Sequence, residues 1–144
     1  MVKAPTLEDE YFQKDILLGV SRTFALTIPQ LPPILERAVA NAYLLCRIQD
    51  TIEDDPDMSL NVKSEFSNQF VQIIAGESDG KLFAEMLVEK LSSATPRDEI
   101  KLVESTDKVI RITQDLKPAQ KKAIIKCVTK MSMGMMLYLS LIHI

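Results

Sequence analysis

The segment AYLLCRIQDTIEDDP, residues 42–56, joins an apolar stretch to a dense group of carboxylates. On a helix with 3.6 residues per turn, its tyrosine, its arginine and two of its aspartates fall at i, i+4, i+7 and i+11. They therefore share one face, with a glutamate beside them. A surface helix has a broad polar face, whereas this one is narrow, so we expect it to face an internal cavity. The members of this polar stripe are Tyr43, Arg47, Asp50, Glu53 and Asp54.

The polar stripe places negative charge where a helix disfavours it. A helix C-terminus carries about half a negative charge, so each carboxylate there costs about 0.3–1 kcal/mol. Carboxylates one turn apart also repel each other, and Arg47 compensates only one of them. Oxygen ligands at i, i+3 and i+4 suit Mg²⁺, which binds a few carboxylates together with substrate phosphates and water. The pattern predicts a metal site at Asp50, Glu53 and Asp54; the alternative is an acidic helix end in solvent.

The segment GVSRTFALTIPQLP, residues 19–32, has the residue types of an anion site. Ser21 is a candidate N-cap, where free backbone N–H groups attract phosphate, and the guanidinium of Arg22 adds a bidentate contact. Taken alone, the segment is better explained as a serine-capped helix with a surface arginine. Combined with the polar stripe, it indicates a diphosphate ester with a long hydrocarbon tail, held by arginine and Mg²⁺ in an apolar cavity.

The rest of the chain predicts helices that position these two segments. Strand patterns are scarce, and apolar residues recur at helical spacing between glycine and proline breakers. Gly19 is expected to separate the first two helices, and Pro56 to end the long one. We predict an all-α fold with helices at Glu8–Leu18, Arg22–Ile28, Pro33–Asp54, Leu60–Ala75, Lys81–Ser92, Arg97–Leu116 and Ala119–Leu139.

Composition narrows the functional classes. The chain has 144 residues, enough for one domain, and its net charge of −3 does not indicate a nucleic-acid partner. We expect Cys46 and Cys127, which lie in apolar periodic segments, to be buried thiols in a reducing compartment. The N-terminal residues lack the apolar region of a signal peptide, and no uncharged run reaches the roughly 20 residues of a membrane span. We expect a soluble, cytosolic protein.

The C-terminal stretch MSMGMMLYLSLIHI, residues 131–144, is apolar to its last residue. Chain ends are usually polar, so we expect a truncated sequence, in which the last few residues are candidates for foreign ones; the alternative is a buried C-terminal helix. We also expect exposed apolar surface on Ala119–Ile144, and hence aggregation or dependence on chaperones. His143, the only histidine, is assigned no role.

The segments GVSRTFALTIPQLP and NAYLLCRIQDTIEDD, residues 41–55, resemble the squalene/phytoene synthase family, and its squalene synthase branch most. The similarity extends weakly to KMSMGMMLY, residues 130–138, where Ser132 stands in place of a glycine in the family's Met-Gly-x-Gly-Met pattern. The resemblance implies an isoprenoid synthase-type helical bundle around a deep cavity, with residues 1–144 forming a single partial domain. The family's second aspartate-rich motif has no counterpart after Gly134, so the resemblance also implies an N-terminal fragment that is inactive alone.

The resemblance implies a head-to-head prenyltransferase. In the squalene branch, two farnesyl diphosphates form a cyclopropyl intermediate, which is rearranged and reduced with NADPH; the determinants of NADPH binding are not visible in this sequence. Asp50, Glu53 and Asp54 match the first Mg²⁺-binding motif. Matches to other family positions imply diphosphate contacts at Ser21, Arg22 and Arg47, a catalytic role for Tyr43 beside Asp50 and Asp54, and a cavity-lining role for Phe24.

Other functions fit the same residues. Within the enzymes, the alternative is phytoene synthase-type condensation of geranylgeranyl diphosphate. Outside them, the alternatives are a non-catalytic helical binding module and an ordinary acidic helical scaffold. The family implies a prenyl diphosphate as partner, a monomer when full length, and a cytoplasmic location with peripheral membrane association that would release an apolar product.

Overall fold

The computed structural model describes residues 5–142, of which 82% are helical and none lie in strands. This confirms the predicted all-α fold; residues 143–144 of the apolar C-terminal stretch, including His143, lie outside the described range. In chain order, the elements are α1 (Leu7–Val20), α2 (Arg22–Thr27), a 3₁₀ turn (Ile28–Gln30), α3 (Pro33–Asp54), α4 (Leu60–Ile74), α5 (Lys81–Lys90), α6 (Arg97–Glu104), α7 (Thr106–Asp115) and α8 (Pro118–Ile142).

The 22-residue helix α3 has the bounds that its prolines predict. Pro33 occupies the first helical position, where its missing N–H would have no intrahelical partner. Asp55 precedes Pro56 and has extended backbone angles, with φ −63° and ψ 123°. The ring of Pro56 disfavours a helical conformation at the residue before it, which explains why the helix ends at Asp54.

Gly19 does not end α1, contrary to the sequence prediction. The helix continues through Gly19 to Val20, and the break occurs at Ser21, whose backbone is extended. A Cβ atom at Gly19 would lie 2.9 Å from Oδ1 of Asp98 in α6, so the glycine allows close approach of a neighbouring helix. A single glycine inside a helix costs about 1 kcal/mol relative to alanine, which the rest of α1 tolerates.

The predicted helix Arg97–Leu116 is two helices that meet at Ser105. There the hydroxyl of Thr106 donates a hydrogen bond to the carbonyl of Val103 at 2.6 Å. Such a side-chain bond competes with the backbone bonds of a continuous helix. Helix α5 also ends early, at Lys90, because the N–H of Ser92 donates to the Asp55 carboxylate instead of a helix carbonyl.

Helix α3 is the centre of the core. Four of its apolar side chains have no solvent exposure, and α1, α4, α6, α7 and α8 all pack against it. These side chains lie on the side of α3 away from the polar stripe, as the helical spacing predicts. They are Leu44, Leu45, Ile48 and Ile52.

Buried polar contacts fix α3 relative to α1 and α7. The Asn41 amide donates to the Thr113 hydroxyl at 2.6 Å and to the Val109 carbonyl at 3.3 Å. The Gln13 amide donates to the Arg37 carbonyl at 3.1 Å. Because an unpaired buried amide costs about 1–3 kcal/mol, these contacts favour one rotational setting of α3 over its alternatives.

A buried ion pair links α1 to α7. Arg111 of α7 donates through Nε and Nη2 to the two carboxylate oxygens of Asp9, at 2.8 and 2.7 Å, and through Nη1 to Asp107 at 3.0 Å. The same Asp9 side chain accepts the N–H of Thr6 and thereby completes a capping box at the start of α1. These hydrogen bonds to Arg111 hold the pKa of Asp9 below its usual value.

Helix α8 packs through one stripe and leaves the rest of its surface open. It contains no acidic residue, and its exposed large side chains include Met133, Leu137, Tyr138 and Leu141. This confirms the predicted apolar surface within the described residues. The helix also has the length and composition of a membrane span, a property that core helices of soluble proteins share.

The two cysteines differ in their surroundings. Cys46 is half-buried, with Sγ 3.5 Å from Sδ of Met131, and desolvation raises the pKa of its thiol to about 11. Cys127 is exposed, so the prediction that both thiols are buried was wrong for this residue. The buried stripe of α8 runs through Ile124 and Val128, and Cys127 lies off it.

Candidate functional site

The polar stripe lies at the edge of the core. Tyr43, Arg47, Asp50 and Glu53 are half-buried, and Asp54 is exposed. Within residues 5–142 the stripe is therefore open to solvent on one side, whereas we expected it to face an enclosed cavity. The stripe itself forms as predicted, because the opposite side of α3 carries the buried apolar residues.

Arg47 is paired with a residue that the sequence did not single out. Its Nη2 donates to the carboxylate of Glu99 in the first turn of α6. Its Nε is buried and has no hydrogen-bond partner among the described residues. An unpartnered guanidinium N–H in this position can donate a hydrogen bond to an anionic ligand. No local pattern around Glu99 predicts the pair, because the two residues lie 52 positions apart.

The negative charges of the stripe carboxylates are only partly compensated by nearby positive charges. Burial raises the pKa of Asp50, the charge of Asp54 raises it further, and Arg47 offsets only part of this. Burial likewise raises the pKa of Glu53, followed by the charges of Asp54 and Asp50. A cation bound beside these groups would favour their ionised forms.

The donor set fits Mg²⁺ held jointly with a ligand. No three Asp, Glu, His or Cys side chains converge into a metal cage within residues 5–142. Mg²⁺ is usually bound by one or two carboxylates, with water and substrate phosphates completing its octahedron, so a cage is not required. Asp50 and Asp54, one turn apart on the same face, supply that number of oxygen donors, and Glu53 lies beside them.

Asp55 has a different role from the three carboxylates before it. It is 4% exposed, and its Oδ1 accepts the N–H groups of Asp57 and Met58 at 2.8 and 3.0 Å. Its Oδ2 accepts the N–H of Ser92, in the loop after α5, at 2.7 Å. Asp55 therefore points into the protein and ties the end of α3 to a distant loop.

Lys63 provides a second contact at the end of α3. Its ammonium group donates to the carbonyl of Glu53, although the residue is only 9% exposed. This contact was not predicted from the sequence. The helical spacing does indicate that Lys63 faces inward, because it lies in register with Phe66 and Phe70 on the buried face of α4.

The Ser21–Arg22 segment starts a short helix, as predicted. The Ser21 hydroxyl accepts the N–H of Phe24 at 3.3 Å and caps α2. This helix has only six residues, so the charge of the exposed Arg22 would contribute more to anion binding than the helix dipole. Phe24 is 45% exposed, and its ring lies 4.6 Å from that of Tyr43, which places α2 against the polar stripe.

The first turn of α6 joins both candidate segments. Asp98 lies against Gly19, at the end of α1, and the neighbouring Glu99 pairs with Arg47 of the polar stripe. The predicted anion segment and the polar stripe are therefore at the same end of the bundle. A cavity of about 180 Å³ lies at this end, lined by Thr51, Asp54, Asp55, Pro56, Ala94, Thr95, Pro96 and Glu99.

Comparison with known proteins identifies the family. The squalene synthase of Botryococcus braunii is 30% identical over 131 residues, which cover 91% of this chain and 26% of the relative. The squalene synthase ERG9 of Candida albicans is 35% identical over 126 residues, or 87% of this chain and 26% of the relative. The chain thus spans about a quarter of the length of these relatives.

The three-dimensional comparison gives the same result. A complex of TcSQS with the ligand BPH1237 matches with a TM-score of 0.76 and 28% identity, over 92% of this chain and 36% of the other. A profile of the squalene/phytoene synthase family matches residues 17–141. These residues contain the polar stripe, the Ser21–Arg22 segment and most of α8. The chain belongs to the squalene/phytoene synthase family.

Proposed function

We propose that this chain supplies a diphosphate- and Mg²⁺-binding half-site of a head-to-head prenyltransferase. One observation carries the proposal: the polar stripe combines an unpartnered guanidinium N–H of Arg47 with carboxylates whose pKa values are raised by burial and mutual repulsion. The first feature calls for an anion and the second for a cation. A magnesium–diphosphate group supplies both.

Family membership supports the choice of substrate and reaction. The proposed substrate is farnesyl diphosphate, two molecules of which would be joined head to head toward squalene through a cyclopropyl intermediate. All the relatives named above are squalene synthases, which favours this reaction over condensation of geranylgeranyl diphosphate. The reductive step with NADPH is a family-level expectation, and we assign no residue to it.

The residues of the stripe would act on the leaving group. Asp50 and Asp54, with Glu53 beside them, would hold Mg²⁺, which neutralises the charge that develops on the departing diphosphate. Arg47 would donate its unpartnered Nε–H to a phosphate oxygen, and the phosphate would compete with the Glu99 carboxylate for the rest of the guanidinium. Arg22, across the Phe24–Tyr43 contact, would add the second arginine.

Tyr43 and Phe24 would contact the substrate beyond its diphosphate. Their rings are in contact between α2 and the polar stripe, and each is partly exposed. Ionisation of an allylic diphosphate leaves a carbocation, which water quenches unless the site excludes it. Because the stripe is open within residues 5–142, we propose that these 144 residues bind the diphosphate group without turnover. A non-catalytic binding module is the alternative that this openness favours.

Peripheral membrane association is a further part of the proposal. Squalene is apolar, and α8 combines an exposed apolar surface with lysines and no acidic residue. Such a surface binds anionic membranes both by burying apolar side chains among the lipids and by attraction of its lysines to the anionic headgroups. Flotation with vesicles of anionic and of neutral phospholipid tests it: binding that is absent from both would contradict membrane association.

Calorimetric titration tests the half-site. Inorganic diphosphate with Mg²⁺ should bind the wild-type chain, and Asp54→Asn or Arg47→Gln should weaken binding about 10- to 100-fold, since each removes a charged contact. Asp57→Asn, which removes one charge just beyond the stripe, should bind like the wild type. Equal binding by all variants would refute the half-site. Incubation with farnesyl or geranylgeranyl diphosphate, followed by product analysis, tests turnover and its substrate.

A further inference from the structure

The last turn of α3 should be weak by its local chemistry. The final four carbonyls of a helix have no intrahelical partner, and Pro56 offers no N–H beyond the end. Carboxylates at the negative end of the helix dipole destabilise the turn further. Asp54 nevertheless has to stay one turn from Asp50, on the same face, if the two are to share a metal.

Two buried contacts oppose fraying at this end. The ammonium group of Lys63 donates to the carbonyl of Glu53, which satisfies one orphan acceptor and places a positive charge beside the negative helix end. The carboxylate of Asp55 accepts three backbone N–H groups, two in the following turn and one from Ser92 in the loop after α5. Both side chains are at least nine-tenths buried.

These contacts bracket the exposed Asp54. The residue before it is held through its carbonyl, and the residue after it through its side chain. We propose that Asp55 and Lys63 are positioning residues that fix the direction of the Asp54 carboxylate, and thereby its spacing from Asp50. This inference rests on the proposed function, because it assigns the purpose of the anchoring to metal and diphosphate binding.

The two adjacent carboxylates at the end of α3, Asp54 and Asp55, differ in role. Asp54 is exposed and available to a ligand, whereas the Asp55 carboxylate already accepts backbone N–H groups of the following turn and of the loop after α5. Asp55 touches no ligand in this proposal and acts only through its neighbour. Residues of this kind beside metal ligands typically change metal affinity by about 10- to 100-fold when substituted.

The test compares Asp55→Asn and Lys63→Met with two controls. The asparagine in Asp55→Asn retains one acceptor oxygen, so it cannot accept the N–H groups of the following turn through one oxygen and that of Ser92 through the other. The control Asp57→Asn removes the same charge from an exposed position. Lys63→Arg retains a charged donor and should restore binding relative to Lys63→Met. Circular dichroism establishes that each variant is folded at the temperature of the titration.

The first readout is the affinity for Mg²⁺ with inorganic diphosphate. Asp55→Asn and Lys63→Met should each weaken it about tenfold or more, while Asp57→Asn and Lys63→Arg stay near the wild type. The second readout is amide hydrogen exchange, which should become faster at residues 52–54 in Asp55→Asn. Hydrogen exchange reports directly on opening of the last turn of α3 and does not require a bound metal.

The outcomes distinguish this inference from the proposed function. If Asp55→Asn binds like the wild type while Asp54→Asn does not, the half-site stands and the positioning role is overturned. If the wild type itself fails to bind Mg²⁺ with diphosphate, the proposed function fails, and the metal-related purpose of the anchor fails with it. Unchanged exchange at residues 52–54 in Asp55→Asn overturns the anchoring in either case.

Discussion

Removing the guanidinium of Arg111 should destabilise the whole domain. In Arg111→Met, the Asp9 carboxylate keeps its buried position, where its side chain is 2% exposed, but loses both of its charged donors. Methionine preserves much of the apolar volume of the arginine stem. The substitution therefore tests chiefly the loss of the charge partner.

The expected loss follows from the burial of the pair. Breaking a buried ion pair from one side costs about 3–5 kcal/mol, because the remaining charge is uncompensated. The Arg111 side chain is 16% exposed, so water can partly solvate the site, and we expect the lower end, about 3 kcal/mol. For a chain of this size, that corresponds to a fall of about 10 °C in Tm.

Thermal and urea unfolding followed by far-UV circular dichroism measure the effect. The matched control is Lys101→Met, which breaks a more exposed pair with Asp15 at 3.8 Å and should change stability by less than about 1 kcal/mol. In the double variant Asp9→Leu with Arg111→Met, both charges are gone, and much of the loss should be recovered. If Arg111→Met costs no more than the control, the buried pair does not stabilise this fold.

Further predictions concern the pH dependence of stability, the reactivity of the two cysteines and two of the glycines. Because the pKa of Asp9 is lowered in the folded state, its contribution to stability is present at neutral pH and should be lost as pH falls below about 4, measured by urea unfolding across a pH series. Iodoacetamide at mildly alkaline pH should label the exposed Cys127 before Cys46, whose raised pKa keeps it protonated; mass spectrometry of timed samples gives the order. Gly80→Ala should cost about 1–2 kcal/mol in thermal unfolding because of its φ of +86°, whereas Gly134→Ala, inside α8 with open space around it, should stabilise by about 0.5–1 kcal/mol.

The features predicted correctly from the sequence are local. Prolines at 33 and 56 give both bounds of α3, and the serine at 21 caps α2. The polar stripe follows from helical spacing alone. Each of these needs only residues within a few turns, where steric and hydrogen-bonding rules act without knowledge of the rest of the fold.

The features that were missed depend on distant residues. Glu99 pairs with Arg47 across 52 positions, and Asp55 accepts the N–H of Ser92 across 37. Local sequence patterns do not distinguish Asp55 from the carboxylates before it. Only the packed structure shows that the Asp55 side chain points inward. The break at Ser105 was missed because the apolar spacing continues through it, while one hydroxyl–carbonyl bond at Thr106 interrupts the helix.

The link between Asp9 and Arg111 has a consequence for the order of assembly during synthesis. The two residues lie 102 positions apart, so a ribosome adding about 5–20 residues per second completes Arg111 roughly 5–20 s after Asp9. Until then α1 lacks its charged partner on α7, and its carboxylate remains hydrated. The Asp9–Arg111 pair, and with it this anchor of α1, can therefore form only after α7 has been translated.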